Sequence, residues 1–308
     1  MRARREQPMV PAAEFRSYYG RQVIHTPTWK VPDVPAYLYL GGLAGTSATM
    51  AALADVTNRP ALRRSGRLAA GAGAMGSVAF LVHDLGVPTR FLNMLRVFKP
   101  TSPLSVGSWI LAPFSGLAAA AALSELTGRL PFLGRLAGVG SAALGPPLAT
   151  YTAVLLADTA VPSWHEVYRE LPFAFAGSAM ASGAGVAMVA APPAQAGPAR
   201  RLALLGGALE LAAVHRLEHG HGLLSEPYLT GRAGTLLRMA RGLTAAGAAG
   251  SLVSRRSRSR SVLSGALLTA GSVCMRFGVF QAGIASAKDP KYTVVPQRER
   301  LQGRHSAV

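Results

Sequence analysis

LSVGSWILAPFSGLAAAAAL, residues 104–123, runs for 20 residues without one charged side chain. About 20 mainly apolar residues in a helix are what it takes to cross the hydrocarbon core of a bilayer. Working outward, similar stretches lie at 34–54, 66–82, 132–157, 171–191, 202–217, 234–253 and 262–285, making eight in all. The second and sixth in chain order are the shortest. Membrane β-strands alternate apolar and polar residues over segments of about ten. These runs are continuous and rich in Ala, Leu and Gly, so they read as helices. Hydrophobic residues make up 50% of the chain and charged ones 15%, against about 25% charged in soluble domains. The formal net charge is nonetheless +18, and it is confined to the tails and the connectors between stretches. The expected architecture is an all-α, polytopic membrane helical bundle with about eight transmembrane helices over residues 34–286. Residues 1–33 and 287–308 are its extramembrane tails, and a separate soluble domain has no room.

The 34 glycines suit such a bundle. Lipid tails solvate leucine as well as another helix does, so helices associate where small residues let backbones approach. Gly41, Gly42 and Gly45 form such a face on the first stretch, and Gly71, Ala72 and Met75 can do the same on the second. Arg2, Arg4 and Arg5 open the chain, yet no hydrophobic stretch with a cleavage site follows in 1–13. The first span is therefore expected to serve as its own insertion signal. Cys274 is the only cysteine and lies inside the last stretch. That excludes an intrachain disulfide and any cysteine-ligated cluster or zinc site held by this chain.

Eight spans put both tails on one side, here called side A, with the even-to-odd connectors. The short side-B connectors hold Arg59, Arg63, Arg64 and Arg67, then Arg129 and Arg135, Arg200 and Arg201, and Arg255, Arg256, Arg258 and Arg260. Asp55 and Glu125 are the only acids near them. Counting Lys and Arg in short loops places side B in the cytoplasm, while the arginines of the tails pull the other way. The run RRSRSR at 255–260 has a nucleic-acid or phosphoinositide reading, but between two apolar spans it is more simply an anchor meeting anionic lipid. Membrane lipid is thus an expected partner and nucleic acid is not.

Side A is chemically dense. His83 and Asp84 open the second-to-third connector, which continues through Arg90 and Arg96. Asp158, Trp164, His165 and Glu166 lie in the fourth-to-fifth; His215, Arg216, Glu218, His219, His221 and Glu226 lie in the sixth-to-seventh. Ionisable groups at a membrane boundary are costly unless paired or wetted, and a functional site is the default suspicion. His215 and His219 share a face if that segment is helical. Zinc needs three or four ligands with an ordered second shell, and no second pair exists, so no metal is expected. Axial haem histidines belong deep on facing helices, whereas His83 and His215 sit near helix ends. Proton handling fits better. A quinone head group at the boundary exchanges two protons per two-electron cycle, and its carbonyls need donors such as Tyr, His or Arg. Tyr151 lies about two turns inward of Asp158, where an interfacial belt tyrosine is the plain alternative.

Several of these residues fall in a pattern that extends from Tyr18 to about Asp289. It comprises Trp29, the Pro35–Gly45 entry PAYLYLGGLAG, and Asp84-Leu85-Gly86 followed by RFLNMLRVF at 90–98. SPLSVGSW at 102–109, Tyr151-Thr152 with Leu155-Leu156, Pro162-Ser163-Trp164-His165 and Glu226-Pro227-Tyr228 complete it. In these motifs the chain resembles the NrfD/PsrC family, the membrane subunits of polysulfide-reductase-type and related molybdopterin oxidoreductase complexes. The resemblance implies an eight-helix bundle of a bacterial inner membrane with no metal or haem of its own. It would exchange electrons between menaquinone or ubiquinone and a ferredoxin-like iron–sulfur subunit, with a molybdopterin catalytic subunit beyond. Tyr151 matches the fourth-helix tyrosine that hydrogen-bonds quinone in the family. The His or Asn often found near the first helix start is replaced here by Pro32 and Asp33, and His83 or His165 can substitute by position. Arg90 and Arg96 have three readings: quinone carbonyl, partner protein, or pairing with Asp84.

The expectation is a membrane anchor subunit, not a complete enzyme alone. Quinone would contact Tyr151, Arg90, Arg96 and Trp164, and protons would pass through Asp84, His83, Asp158 or His165. The rival from another class is a proton-coupled secondary transporter or proton channel. No repeat is visible between the halves of the sequence, but Glu210 is the only acid well inside a stretch. A purely structural anchor is the third reading.

Overall fold

The computed structural model describes residues 22–305. Arg2, Arg4, Arg5 and Tyr18 lie outside these residues. Among the described residues the chain forms twelve α-helices and no strand: α1 (Asp33–Val56), α2 (Pro60–Asp84), α3 (Arg90–Met94), α4 (Pro103–Thr127), α5 (Pro131–Ala157), α6 (Pro162–Glu166), α7 (Leu171–Ala190), α8 (Gly197–His219), α9 (Glu226–Leu229), α10 (Gly231–Val253), α11 (Arg258–Lys288) and α12 (Lys291–His305). A 3-10 turn, Gly222–Ser225, precedes α9.

The long helices α1, α2, α4, α5, α7, α8, α10 and α11 coincide with the eight apolar stretches. Five of them, α2, α4, α5, α7 and α11, are long and apolar enough to cross a membrane, with mean hydropathy of 1.2 to 1.6. The other three are more polar for visible reasons. α8 carries Glu210 at its middle and arginines at both ends, and α10 carries Arg232, Arg238 and Arg241. α1 buries 16 of its 24 residues against protein, a setting in which Thr46, Ser47 and the glycines face neighbours rather than lipid. The molecule is an all-α, multi-pass membrane bundle.

Helix starts run ahead of the apolar stretches because prolines occupy the first turns of α2, α4, α5 and α8, where their missing N–H costs nothing. α2 begins at Pro60 rather than near 66, and Arg63 in its added turn and Arg67 just beyond are paired, as is Arg135 of α5. Arg63 meets Asp55 at 3.2 Å and Glu125 at 3.1 Å, Arg67 meets Glu125 at 3.0 Å, and Arg135 meets Asp55 at 3.1 Å. At the other arginine-rich connector, Arg258 donates to the Ala191 carbonyl at 2.7 Å and to that of Met188 at 3.3 Å, covering carbonyls that the end of α7 leaves unpaired.

The long helices close into two rings of four. α1 packs on α2 and α5, and α4 packs on the same two; α7 packs on α8 and α11, and α10 packs on that pair. The same order of packing recurs although the sequence shows no repeat. The rings meet where α1 and α5 lie against α7, with α11 also reaching α1. Gly45 and Gly145 set the approach of α1 to α5: a Cβ on either would stand 2.4 Å from the other's carbonyl oxygen.

The segment after residue 286 is more than a tail. α11 runs on to Lys288, and α12 folds back over α6. Lys291 bonds Glu226 at 2.9 Å and Arg300 approaches Glu166 at 3.6 Å. The Glu226 hydrogen bond holds the Lys291 ammonium above the ordinary lysine value.

Candidate functional site

At the side-A end of the first ring, the backbone leading into α1 is tied to the last turn of α2. Lys30 N–H donates to Asp84 Oδ1 at 2.8 Å, and Lys30 Nζ donates to the His83 carbonyl at 3.4 Å. His83 and Asp84 thus belong to α2 itself rather than to a connector. His83 Nδ1 lies 2.7 Å from Asp33 Oδ2. A carboxylate only accepts, so Nδ1 carries the proton in this contact. The His83 side chain is 74% exposed and that of Asp33 only 6%; a wet imidazole therefore sits on a buried carboxylate.

Tyr37 follows Asp33 by one helical turn on the same face of α1. It is buried, and its hydroxyl lies 3.0 Å from that of Tyr151 on α5. Its carbonyl accepts the Ser77 hydroxyl at 3.2 Å, fixing α1 against α2. Gly107 on α4 makes room for the Tyr151 ring, since a Cβ there would fall 2.1 Å from Cε2. In a tyrosine pair one O–H donates to the other oxygen, and the accepting hydroxyl keeps its own proton for a third group. Among the described residues no further protein partner takes that proton. The pair is a preformed donor one turn inside the boundary cluster.

The other residues singled out by sequence lie at helix ends and on the short segments between the long helices. Asp158 is exposed at the end of α5, and His165, exposed on α6, donates Nδ1–H to the Ala157 carbonyl at 3.0 Å. Trp164 is fully buried; its indole N–H donates to the Val279 carbonyl at 2.8 Å. It stacks on Trp29 at 5.7 Å between centroids and meets Phe280 at 5.5 Å, which joins the lead-in to α1, α6 and α11. Arg90 and Arg96 are exposed on the segment after α2. Neither pairs with Asp84, whose Oδ1 takes the Lys30 N–H instead. Near them Phe98 and Trp109, both exposed, meet edge to face at 5.9 Å.

His215 and His219 share a face of α8 with ring centroids 4.5 Å apart, but among the described residues no three His, Cys, Asp or Glu side chains converge. Glu218 beside them is buried and bonds Arg241 of α10 at 2.6 Å. Sequence reasoning did not single out Tyr37 or Arg276. Tyr37 was legible in principle, because Asp33 and Tyr37 are four apart at the mouth of a span. Arg276 lies in the middle of the longest helix, fully buried, donating to the Phe175 carbonyl at 2.8 Å with its guanidinium 3.8 Å above the Phe175 ring. Glu210, also buried, accepts from Thr244 at 2.9 Å. Each feels the other's charge, yet Glu210 Oε2 and Arg276 Nε and Nη1 have no hydrogen-bond partner.

A family model described as polysulphide reductase, NrfD matches residues 23–196, more than half of the chain. The match takes in α1 to α7, and with them both tyrosines, His83, Asp84 and Asp158. No curated protein matches the chain.

Proposed function

The chain belongs to the polysulphide reductase NrfD family, and on that premise we propose that membrane quinone exchanges electrons at the side-A end of the first ring. Membership makes the chain a membrane subunit of a redox complex. The observation that carries the finer reading is the contact between buried Tyr37 and half-buried Tyr151, one turn inside His83 and Asp33. A quinone carbonyl accepts the proton that the pair leaves free, and on reduction each carbonyl oxygen must gain a proton. His83 and Asp33 are within reach of that supply from the wet side, with Asp84, Asp158 and His165 nearby on the same face. In the oxidising direction quinol gives up two electrons and two protons, and the electrons leave one at a time to an iron–sulfur cluster of a docked subunit. Arg90, Arg96 and the exposed Phe98 belong to the face on which that partner would sit, with a molybdopterin subunit beyond it. All eight long helices cross the bilayer in this reading.

The test is quinol turnover by the assembled complex. Tyr151→Phe is expected to lower turnover at least tenfold while the iron–sulfur partner still co-purifies. Full turnover in that variant would remove the tyrosine from the reaction.

One observation favours a second reading, a proton-coupled transporter or channel: the incompletely satisfied Glu210 at the centre of the second ring. Intramembrane acids mark proton routes elsewhere. Proton flux in liposomes that is lost in Glu210→Gln and indifferent to quinone would favour it.

A further inference from the structure

Two arginine clusters share the side-B face, and they differ in what neutralises them. Arg63, Arg67 and Arg135 are matched by Asp55 and Glu125 at 3.0 to 3.2 Å. Arg59, Arg200, Arg201, Arg255 and Arg256 instead gather round a basin of about 530 Å³ that no acid lines. None of the five makes an ion pair among the described residues. Arg59 donates to the carbonyls of Ala194 and Gln195, and Arg200 to that of Pro193, so they are positioned by backbone rather than by carboxylates. Arg59 Nε is buried without a partner, and the charges of Arg255 and Arg59 both act against Arg200. Five cations held together without a counter-charge call for an anion.

The basin does not end at the surface. Arg59 and Arg201 also line an apolar groove of about 670 Å³ between the two rings. Its walls come from α1 and α5 on one side and α7 and α8 on the other, with Gly145 and Thr46 at the inner end. Leu53 and Leu205, both exposed, stand along it. From Thr46 to Thr57 the α1 wall is about 16 Å long at 1.5 Å per residue, close to half of the roughly 30 Å hydrocarbon core. A charged basin at the membrane face opening into an apolar groove one leaflet deep has the outline of a phospholipid.

We propose that an anionic phospholipid occupies this site, its phosphate in the arginine basin and an acyl chain in the groove, bridging the two four-helix rings from side B. A quinone tail would fill the groove but leave five arginines unmatched; a soluble phosphate would match the arginines but leave the groove without a role.

The experiment is native mass spectrometry of the chain in its complex, purified in detergent and re-supplied with phosphatidylglycerol, cardiolipin or phosphatidylcholine. Anionic lipid should be retained over phosphatidylcholine. Retention should fall on the order of tenfold or more in the double variant Arg200→Gln/Arg201→Gln, but stay unchanged in Arg64→Gln, which is exposed on the same face outside the basin. Ala176→Phe, which narrows the groove without touching a charge, should also release the lipid. Equal retention of anionic and zwitterionic lipid overturns the proposal. So does loss in Arg64→Gln equal to that in the basin variant. Retention untouched by Ala176→Phe but competed away by millimolar inorganic phosphate makes the basin a soluble-anion site and overturns it as well. Comparing Arg255→Gln/Arg256→Gln guards against misfolding of the first double variant, because these two side chains are exposed and their loss must give the same release.

Discussion

The two rings repeat one packing order but solve the problem of interior polarity differently. In the first, the polar centre is a neutral pair of tyrosines whose hydroxyls satisfy one another and leave one donor over. In the second, the centre is a carboxylate and a guanidinium, both buried, held by Thr244 and by the Phe175 carbonyl and ring, with atoms on each left unmatched. A neutral pair asks little of its surroundings and can present its spare proton to a visiting carbonyl. A buried carboxyl and a buried guanidinium that are not bonded to one another each depend on the few polar contacts they do make. The first ring is therefore built to receive something, and the second is built around something it cannot lose.

The largest expected effect comes from breaking the charged centre. Arg276→Leu removes the donor to the Phe175 carbonyl and the cation whose charge acts on the buried Glu210, and a buried polar group that loses its partner costs about 1–3 kcal/mol. Thermal unfolding in detergent should show it, with partial recovery when Glu210→Gln is added to the same chain. A neutral outcome for the single variant would erase the contrast between the rings. Next is the cavity that holds the Tyr151 ring. Gly107→Ala forces that ring aside, at about 1–3 kcal/mol for overpacking, and should lower quinol turnover as far as Tyr151→Phe does even though the hydroxyl remains. Turnover kept at the parent level would mean that position, and not only the hydroxyl, is irrelevant.

Tyr37→Phe should act more gently. It removes one hydrogen bond, worth about 0.5–1.5 kcal/mol, and leaves Tyr151 free to donate, so its turnover should lie between those of the parent and Tyr151→Phe. The smallest effect concerns α12. The Lys291 ammonium is held above its ordinary value by Glu226. Its contribution is fully present below the usual lysine range near 10.4 and is lost as pH rises through the elevated value. From neutral pH upward, the protection of α12 amides relative to their intrinsic base-catalysed exchange rate should therefore fall only in strongly alkaline solution, and in Lys291→Met it should already be low at neutral pH.

Much of this architecture was legible because lipid imposes a blunt rule on sequence: long apolar runs separated by basic connectors leave few alternatives. The positions of the eight long helices followed from that rule. What escaped were features that hydropathy hides. The first turns of α2 and α8 carry arginines, so an apolar window starts too late, although Asp55 and Glu125 make the α2 arginines compatible with a helix. The recurrence of ring order leaves no trace in residue identity, since small residues at many registers permit the same approach. Tyr37 looked like part of an aromatic entry motif, and only the fold brings its hydroxyl to an oxygen 114 positions away. Arg276 sits in a run whose apolar character outweighs one cation. Among the described residues neither Arg90 nor Arg96 pairs with Asp84, which takes the Lys30 backbone N–H.

The stack of Trp29, Trp164 and Phe280 carries a consequence for biogenesis. Trp29 leaves the ribosome before the first span, and Phe280 belongs to the last. Synthesis proceeds from the amino terminus and earlier segments settle first. The tyrosine pair and the His83–Asp33 contact can thus form once α5 has been inserted, whereas the aromatic clasp beside them waits for α11. A chain arrested before α11 would hold an assembled donor pair under an unfastened lead-in. Completion of the last helix is then the event that fastens the mouth of the site, and a translation arrest series probed by Trp fluorescence would time it.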